Sequence, residues 1–170
     1  LSTKEMYAEA FKLRKICRKA VFLINDRLDI ALGVNADGVH LGQDDLPYQV
    51  ARRLLGEKKI IGVTVHSVKE AKEAQRSGAD YLGVSPIFAT STKQDAGKPA
   101  GIALLKKIRE EVSIPIVAIG GINLSNAAEV IRAGADGLCA ISAVVTKRNV
   151  RREIEKFQGL FKNTARGKIS

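Results

Sequence analysis

Short apolar runs alternate with longer amphipathic ones along the whole chain. The runs VFLI (21–24), GVHLG (38–42), IIGVTV (60–65), YLGVS (81–85), PIVAIG (115–120) and GLCAIS (137–142) predict six strands. Their unbroken Val/Ile/Leu character fits parallel strands covered on both faces. Helical periodicity fills the segments between them. Over 102–112, Leu104, Leu105, Ile108 and Val112 form one apolar stripe. The run SVKE predicts a capping box, with Ser67 accepting a backbone N–H and Glu70 reaching back. A leading helix, STKEMYAEAFKLRKICRK, opens on a second such pair, Ser2 and Glu5. Gly78 and Gly134 stand where left-handed helix ends belong.

Strict β/α alternation means either a doubly wound sheet or a (β/α)8 barrel. No GxGxxG follows the first strand, so the main sign of a dinucleotide fold is missing. Three helix-to-strand junctions resemble one another: NADG (35–38), GADY (78–81) and GADG (134–137), with aspartates 43 and 56 residues apart. Duplication of a strand–helix unit leaves such a trace. A leading helix with no strand before it, and six strands where eight close a barrel, indicate an incomplete ring. The expectation is one α/β domain over 1–170, a (β/α)8 TIM barrel whose first two strand units are missing from this sequence, with a basic tail from about 160. The junction CRKAVFLIND passes from helix to strand without a turn residue, which predicts missing residues there too.

Barrel sites lie just past the C-terminal ends of the strands. The polar residues and glycines at those positions are Asn25-Asp26, Gln43-Asp44-Asp45, Thr64, Ser85, Gly120-Gly121 and Ser142. To them belongs TSTKQDAGKPAG (90–101), a connection about twice the usual length. Asp26 and Asp45, on neighbouring units, can converge on one hard cation, since Mg2+ accepts one or two carboxylates plus waters and substrate phosphates. Each can equally cap the helix that follows it. Gly120-Gly121 before INLSNAAEV, with Ser142 after the last strand, fits a barrel phosphate site; the alternative is a plain turn. His40 alternates with Val39 and Leu41 and can simply fill the interior, and His66 can be a surface residue before a helix. Neither histidine has a triad or metal-ligand spacing.

The net charge of +10 first suggests a polyanion, but most Lys and Arg fall at helix-surface spacing among glutamates, and Trp is absent. A solvated helical exterior accounts for the charge, so nucleic acid is not the expected partner. No apolar run approaches the roughly 20 residues of a membrane span, and no signal-peptide pattern opens the sequence. The expected place is the cytoplasm, without membrane contact. Cys17 and Cys139 have no metal or redox spacing and read as buried reduced thiols.

With INDRLDIAL, ADGVHLGQDDLP, IIGVTVHS, GADYLGVSPIFATSTKQDAG, PIVAIGGIN and GADGLCAISAV in order, nearly the whole chain resembles the thiamine-phosphate synthase family. The resemblance implies a Mg2+-dependent transferase of thiamine biosynthesis on a (β/α)8 barrel. It joins hydroxymethylpyrimidine diphosphate to thiazole phosphate and releases pyrophosphate. By motif, Asn25 and Thr64 would contact the pyrimidine diphosphate and Asp26 and Asp45 would hold Mg2+. Thr90, Ser91, Thr92, Gly121, Ile141 and Ser142 would bind the thiazole phosphate, and Lys93 would contact the diphosphate as the catalytic cation. Thr64 stands where the family usually has Ser, and Ala89 replaces a frequent Pro. The family's basic QxRxK segment is expected before Leu1. The long connection, with Gly97 and Gly101, is expected to close as a lid over both substrates. Rival readings are a TenI-like thiazole tautomerase, which would not require the aspartate pair, and a barrel that binds thiamine precursors without turnover. A homo-oligomer stays open, since nothing in the sequence sets the number of subunits.

Overall fold

The computed structural model describes residues 1–90 and 98–164. Residues 91–97 and the end of the basic tail, 165–170, lie outside the described residues. The chain begins with α1 (Thr3–Ile16), β1 (Leu23–Asn25), α2 (Leu28–Gly33), β2 (Gly38–Leu41) and α3 (Tyr48–Leu55). It continues with β3 (Ile60–Val65), α4 (Val68–Arg76), β4 (Tyr81–Val84), α5 (Gly101–Glu111) and β5 (Ile116–Ile119). The last elements are α6 (Ala127–Arg132), β6 (Gly137–Cys139), α7 (Ser142–Val145) and α8 (Val150–Asn163). The six strands among the described residues pair in parallel and in sequence order, β1 through β6.

The register sets which side chains share a face. Ile61, Val63 and Val65 of β3, and Leu82 and Val84 of β4, point to the helices and are buried with Ala51, Ala71, Leu105 and Ile108. Alternate positions form the other face: Asn25 pairs with His40, His40 with Gly62, and Gly62 with Tyr81. That inner face is only partly covered, contrary to the reading of strands buried alike on both sides. Small residues there make room for large neighbours. A Cβ on Gly62 would collide with the Tyr81 ring, and one on Gly83 would lie 2.8 Å from His40 Cε1.

The three repeated junctions share one device. Asp37 accepts the Phe22 N–H at 2.8 Å and forks with the Arg14 guanidinium at 3.0 Å on each arm. Asp80 accepts the Ile61 N–H at 2.7 Å and Arg52 at 2.6 Å. Asp136 accepts the Ile116 N–H at 2.9 Å and Arg109 at 3.0 Å. In each case an arginine from the helix before an odd-numbered strand reaches the aspartate that opens the next strand. The repeat in the sequence therefore marks pairs of β/α units, fastened where the strands begin.

Several local readings change in detail. The capping box at Ser2 is complete, with Glu5 accepting the Ser2 N–H at 2.7 Å. At α4 Ser67 accepts the Glu70 N–H at 3.2 Å, but Glu70 returns to the His66 N–H at 2.8 Å, one residue further back than predicted. The first strand starts later than predicted because residues 17–22 make the connection from α1, with Cys17 turning the chain at φ −76°, ψ 73°. The sixth strand ends at Cys139, since Ile141 adopts φ −95°, ψ −77° and Ser142 opens α7. Gly78 and Gly134 have φ of 91° and 118°, as their helix-end positions predict.

Candidate functional site

One cavity of about 700 Å³ opens at the C-terminal ends of the strands, within the size range of small-molecule sites. Residues from the ends of both outer strands, Asn25 after β1 and Ile141 after β6, line it together. The sheet must therefore curl, giving a parallel six-stranded half-barrel around this space. Asn25, Asp26, Asp45 and Thr64 line one side; Thr90, Gly121, Ile141 and Ser142 complete the wall. Every candidate residue within the described part of the chain thus meets the same cavity. Ser91, Thr92 and Lys93 lie outside the described residues.

Asp26 continues the ladder through its N–H to the His40 carbonyl at 2.8 Å, then turns into the left-handed region with φ 64°. Aspartate tolerates that conformation better than most residues, and strained backbone of this kind gathers at functional sites. The helix-cap alternative is not taken up. The cap position of α2 is Arg27 and that of α3 is Pro47, neither with a side-chain cap bond. Asp45 instead folds back, its Oδ2 accepting the Gly42 N–H at 2.6 Å. That bond closes the turn after β2 and fixes the carboxylate beside the cavity. Two carboxylates from adjacent strand ends face one space, a donor set suited to a hard cation such as Mg2+. Among the described residues no group of three or more His, Cys, Asp or Glu could hold an ion by itself. Water and substrate phosphate would have to complete the shell.

The glycine pair is more than a turn. Gly120 and Gly121 have φ of 94° and 66°, and a Cβ on Gly121 would sit 2.7 Å from Phe88 Cβ and 2.8 Å from the Ala89 carbonyl oxygen. The loop after β5 therefore lies directly against the start of the long connection after β4. Asn126 holds it from behind, donating to the Gly121 carbonyl at 2.9 Å.

Sequence reasoning passed over the histidines. His40 lines the cavity with Nδ1 2.8 Å from the Tyr81 hydroxyl and Nε2 2.7 Å from Thr64 Oγ1. His66 also lines it and donates from Nδ1 to the Ser85 carbonyl at 2.7 Å. Burial pushes the Tyr81 phenol up to about 12 and raises the Cys139 thiol as well. The signal for His40 was its strand parity, which puts it on the same face as Asn25 and Thr64. Gln43 adds a second tie, donating to the Thr64 carbonyl at 2.5 Å.

The sequence profile of the thiamine monophosphate synthase family matches residues 1–144. The thiamine-phosphate synthase of Methanosarcina barkeri is 51% identical over 164 residues, covering 96% of this chain and 74% of that protein. That of Chloroflexus aurantiacus is 55% identical over 161 residues, covering 94% and 74%. Among solved structures, thiamine phosphate pyrophosphorylase from Pyrococcus furiosus superposes with a TM-score of 0.87 at 44% identity, over 96% of this chain and 79% of that one. The present chain thus spans about three-quarters of these relatives' length. It belongs to the thiamine monophosphate synthase family.

Proposed function

We propose that the protein is a thiamine-phosphate synthase, a transferase that joins 4-amino-2-methyl-5-hydroxymethylpyrimidine diphosphate to 4-methyl-5-(2-hydroxyethyl)thiazole phosphate. The products are thiamine phosphate and pyrophosphate. The observation that carries this reading is the convergence of motif residues from several separate strand ends on one cavity. Family membership supplies the activity to be placed there.

The C–O bond to the diphosphate breaks with both electrons leaving on pyrophosphate, and the thiazole nitrogen lone pair closes the new C–N bond. The resonance-stabilised pyrimidine methyl cation between these events needs no protein nucleophile. What it needs is charge stabilisation at the leaving group and accurate placement of the thiazole. Asn25, Thr64 and Lys93 hold the pyrimidine diphosphate; Thr90, Ser91, Thr92 and the backbone at Gly121, Ile141 and Ser142 hold the thiazole phosphate. Asp26 and Asp45 are the residues that would hold Mg2+. Bound there, the ion would offset charge on the departing pyrophosphate.

On this reading the curled sheet of the described residues represents six of the eight strands of a (β/α)8 barrel. Apolar side chains left exposed at both ends of the sheet's run of elements, Tyr7 and Phe11 on α1, Val21 before β1, and Ile141 and Val145 after β6, support that reading. No helix among the described residues is long and apolar enough to cross a membrane.

The test is incubation of the whole encoded protein with both precursors. Equal yields of thiamine phosphate and pyrophosphate, abolished by chelation and restored by Mg2+, are expected. Folded protein that makes neither product overturns the reading, and isomerised thiazole as the sole product would assign the tautomerase activity instead.

A further inference from the structure

His40 sits between two hydroxyls on the concave face of the sheet. Its Nδ1 is 2.8 Å from the Tyr81 hydroxyl and its Nε2 is 2.7 Å from Thr64 Oγ1. A hydroxyl can donate or accept, so the distances alone allow two proton arrangements. Tyr81 decides between them. Its phenol is partly buried and stays protonated, and among the described residues its hydroxyl has His40 Nδ1 as its one acceptor. If the ring proton of the neutral imidazole lay on Nδ1, the Tyr81 O–H would lose that acceptor. Tyr81 therefore donates to Nδ1, and the ring proton lies on Nε2. Nε2–H donates to Thr64 Oγ1, which leaves the Thr64 hydroxyl hydrogen directed elsewhere. The remaining open side of Thr64 is the cavity it lines.

We infer that His40 is a positioning residue that holds Thr64 as a hydrogen-bond donor toward the substrate cavity. Thr64 then selects an acceptor, a phosphate oxygen or a pyrimidine ring nitrogen, and disfavours an amino group at that position. The arrangement is mechanically fixed from both sides. Gly62 admits the Tyr81 ring, Gly83 admits the His40 ring, and the two rings lie 5.4 Å apart between centroids. Gln43 holds the Thr64 carbonyl from the rim. The kinetic part of this inference rests on the synthase reading; the proton arrangement does not.

Two measurements separate these parts. Long-range 15N–1H correlation NMR on wild-type protein reads the His40 tautomer directly, whatever the protein catalyses. A proton on Nε2 with Nδ1 bare is the expected pattern; a proton on Nδ1 overturns the inference. In the kinetic arm, His40→Leu raises KM for the pyrimidine diphosphate about three- to tenfold, with kcat and the thiazole phosphate KM unchanged. His40→Gln, whose amide offers an N–H near the position of Nε2, recovers most of that loss. In a Thr64→Val background His40→Leu adds nothing further, because the hydroxyl it orients is gone. An equal effect of His40→Leu in both backgrounds, or no effect in either, overturns the positioning role. A wild-type protein with no turnover removes the synthase reading and leaves the tautomer result standing alone.

Discussion

Asp80 accepts the Ile61 N–H on its carboxylate at 2.7 Å while giving its own N–H to the Ile61 carbonyl at 3.0 Å. Two adjacent strands are thereby closed into a ring at the point where both begin, and Arg52 seals the ring at 2.6 Å. Asp37 with Phe22, and Asp136 with Ile116, repeat the same reciprocal pair of bonds. These fasteners lie at the end of the sheet opposite the cavity. Stability and chemistry are divided between the two rims, so changes at Asp80 should move one without the other.

Asp80→Ala leaves the Ile61 N–H without its acceptor and takes one partner from Arg52, whose side chain is only 13% exposed. An unsatisfied buried donor costs about 1–3 kcal/mol, equivalent to a drop of roughly 2–4 °C in Tm per kcal/mol for a domain of this size. Glu111→Ala removes the Lys72 ion pair, in which both side chains are about half exposed, and should cost no more than about 1 kcal/mol. Thermal unfolding of the two variants compares them directly. Asp80→Ala as stable as wild type would mean that the junction is not a fastener. Its kcat at a temperature where it stays folded should match wild type.

Asp37 links the same device to pH. The Phe22 N–H is the main influence holding its carboxyl below the ordinary range, with the Arg14 guanidinium adding to it against the opposing effect of burial. A lowered folded-state pKa contributes stability that is fully present above the unfolded value near 3.8 and is lost as pH falls through the folded value. Asp37→Asn removes this dependence. The stability difference between wild type and Asp37→Asn should be constant from about pH 6 to 8 and shrink below about pH 4. Urea unfolding at neutral and acidic pH measures it; a difference that grows toward acid would reverse the assignment.

The strands were legible because each is a short Val/Ile/Leu run, and their order followed from β/α alternation. What the runs did not reveal was that the inner face is half open. Gly62, Gly83, His40 and Thr64 look unremarkable in sequence, and only the register aligns them. The bonds from His40 to Tyr81 and to Thr64 bridge 41 and 24 residues, distances at which periodicity indicates a shared face but no contact. The aspartates of the three junctions were visible as a repeat, yet their partner arginines sit mid-helix among other surface charges. Gly121 was read for its open backbone, and the structure adds a reason in packing.

That packing makes Gly121→Ala informative. The new methyl would meet Phe88 Cβ and the Ala89 carbonyl at under 3 Å, and φ 66° disfavours a side chain by about 1–2 kcal/mol. The loop after β5 must shift away from the long connection after β4. Under the proposed assignment this displaces the backbone groups that receive the thiazole phosphate. KM for the thiazole phosphate should rise about tenfold or more with the pyrimidine diphosphate KM little changed, the selective effect of losing phosphate-binding backbone donors. Equal effects on both substrates would place Gly121 in general loop support instead.

Asp45→Asn tests the proposed metal pair while keeping the turn. The amide oxygen of Asn can still accept the Gly42 N–H that Asp45 Oδ2 receives at 2.6 Å, so the loop after β2 should retain its shape. The negative charge, however, is gone, and cation affinity depends on the number of charged ligands. The Mg2+ concentration giving half-maximal activity should rise about tenfold or more, with part of kcat recovered at saturating Mg2+. Asp26→Asn should act in the same direction, and the double variant should exceed either alone. Asp44→Asn is the control, since Asp44 lines the same cavity one residue away and has no assigned ligand role. If Asp44→Asn shifts the Mg2+ requirement as far as Asp45→Asn does, the effect is general electrostatics. If Asp45→Asn leaves it unchanged at limiting Mg2+, Asp45 is not a metal ligand.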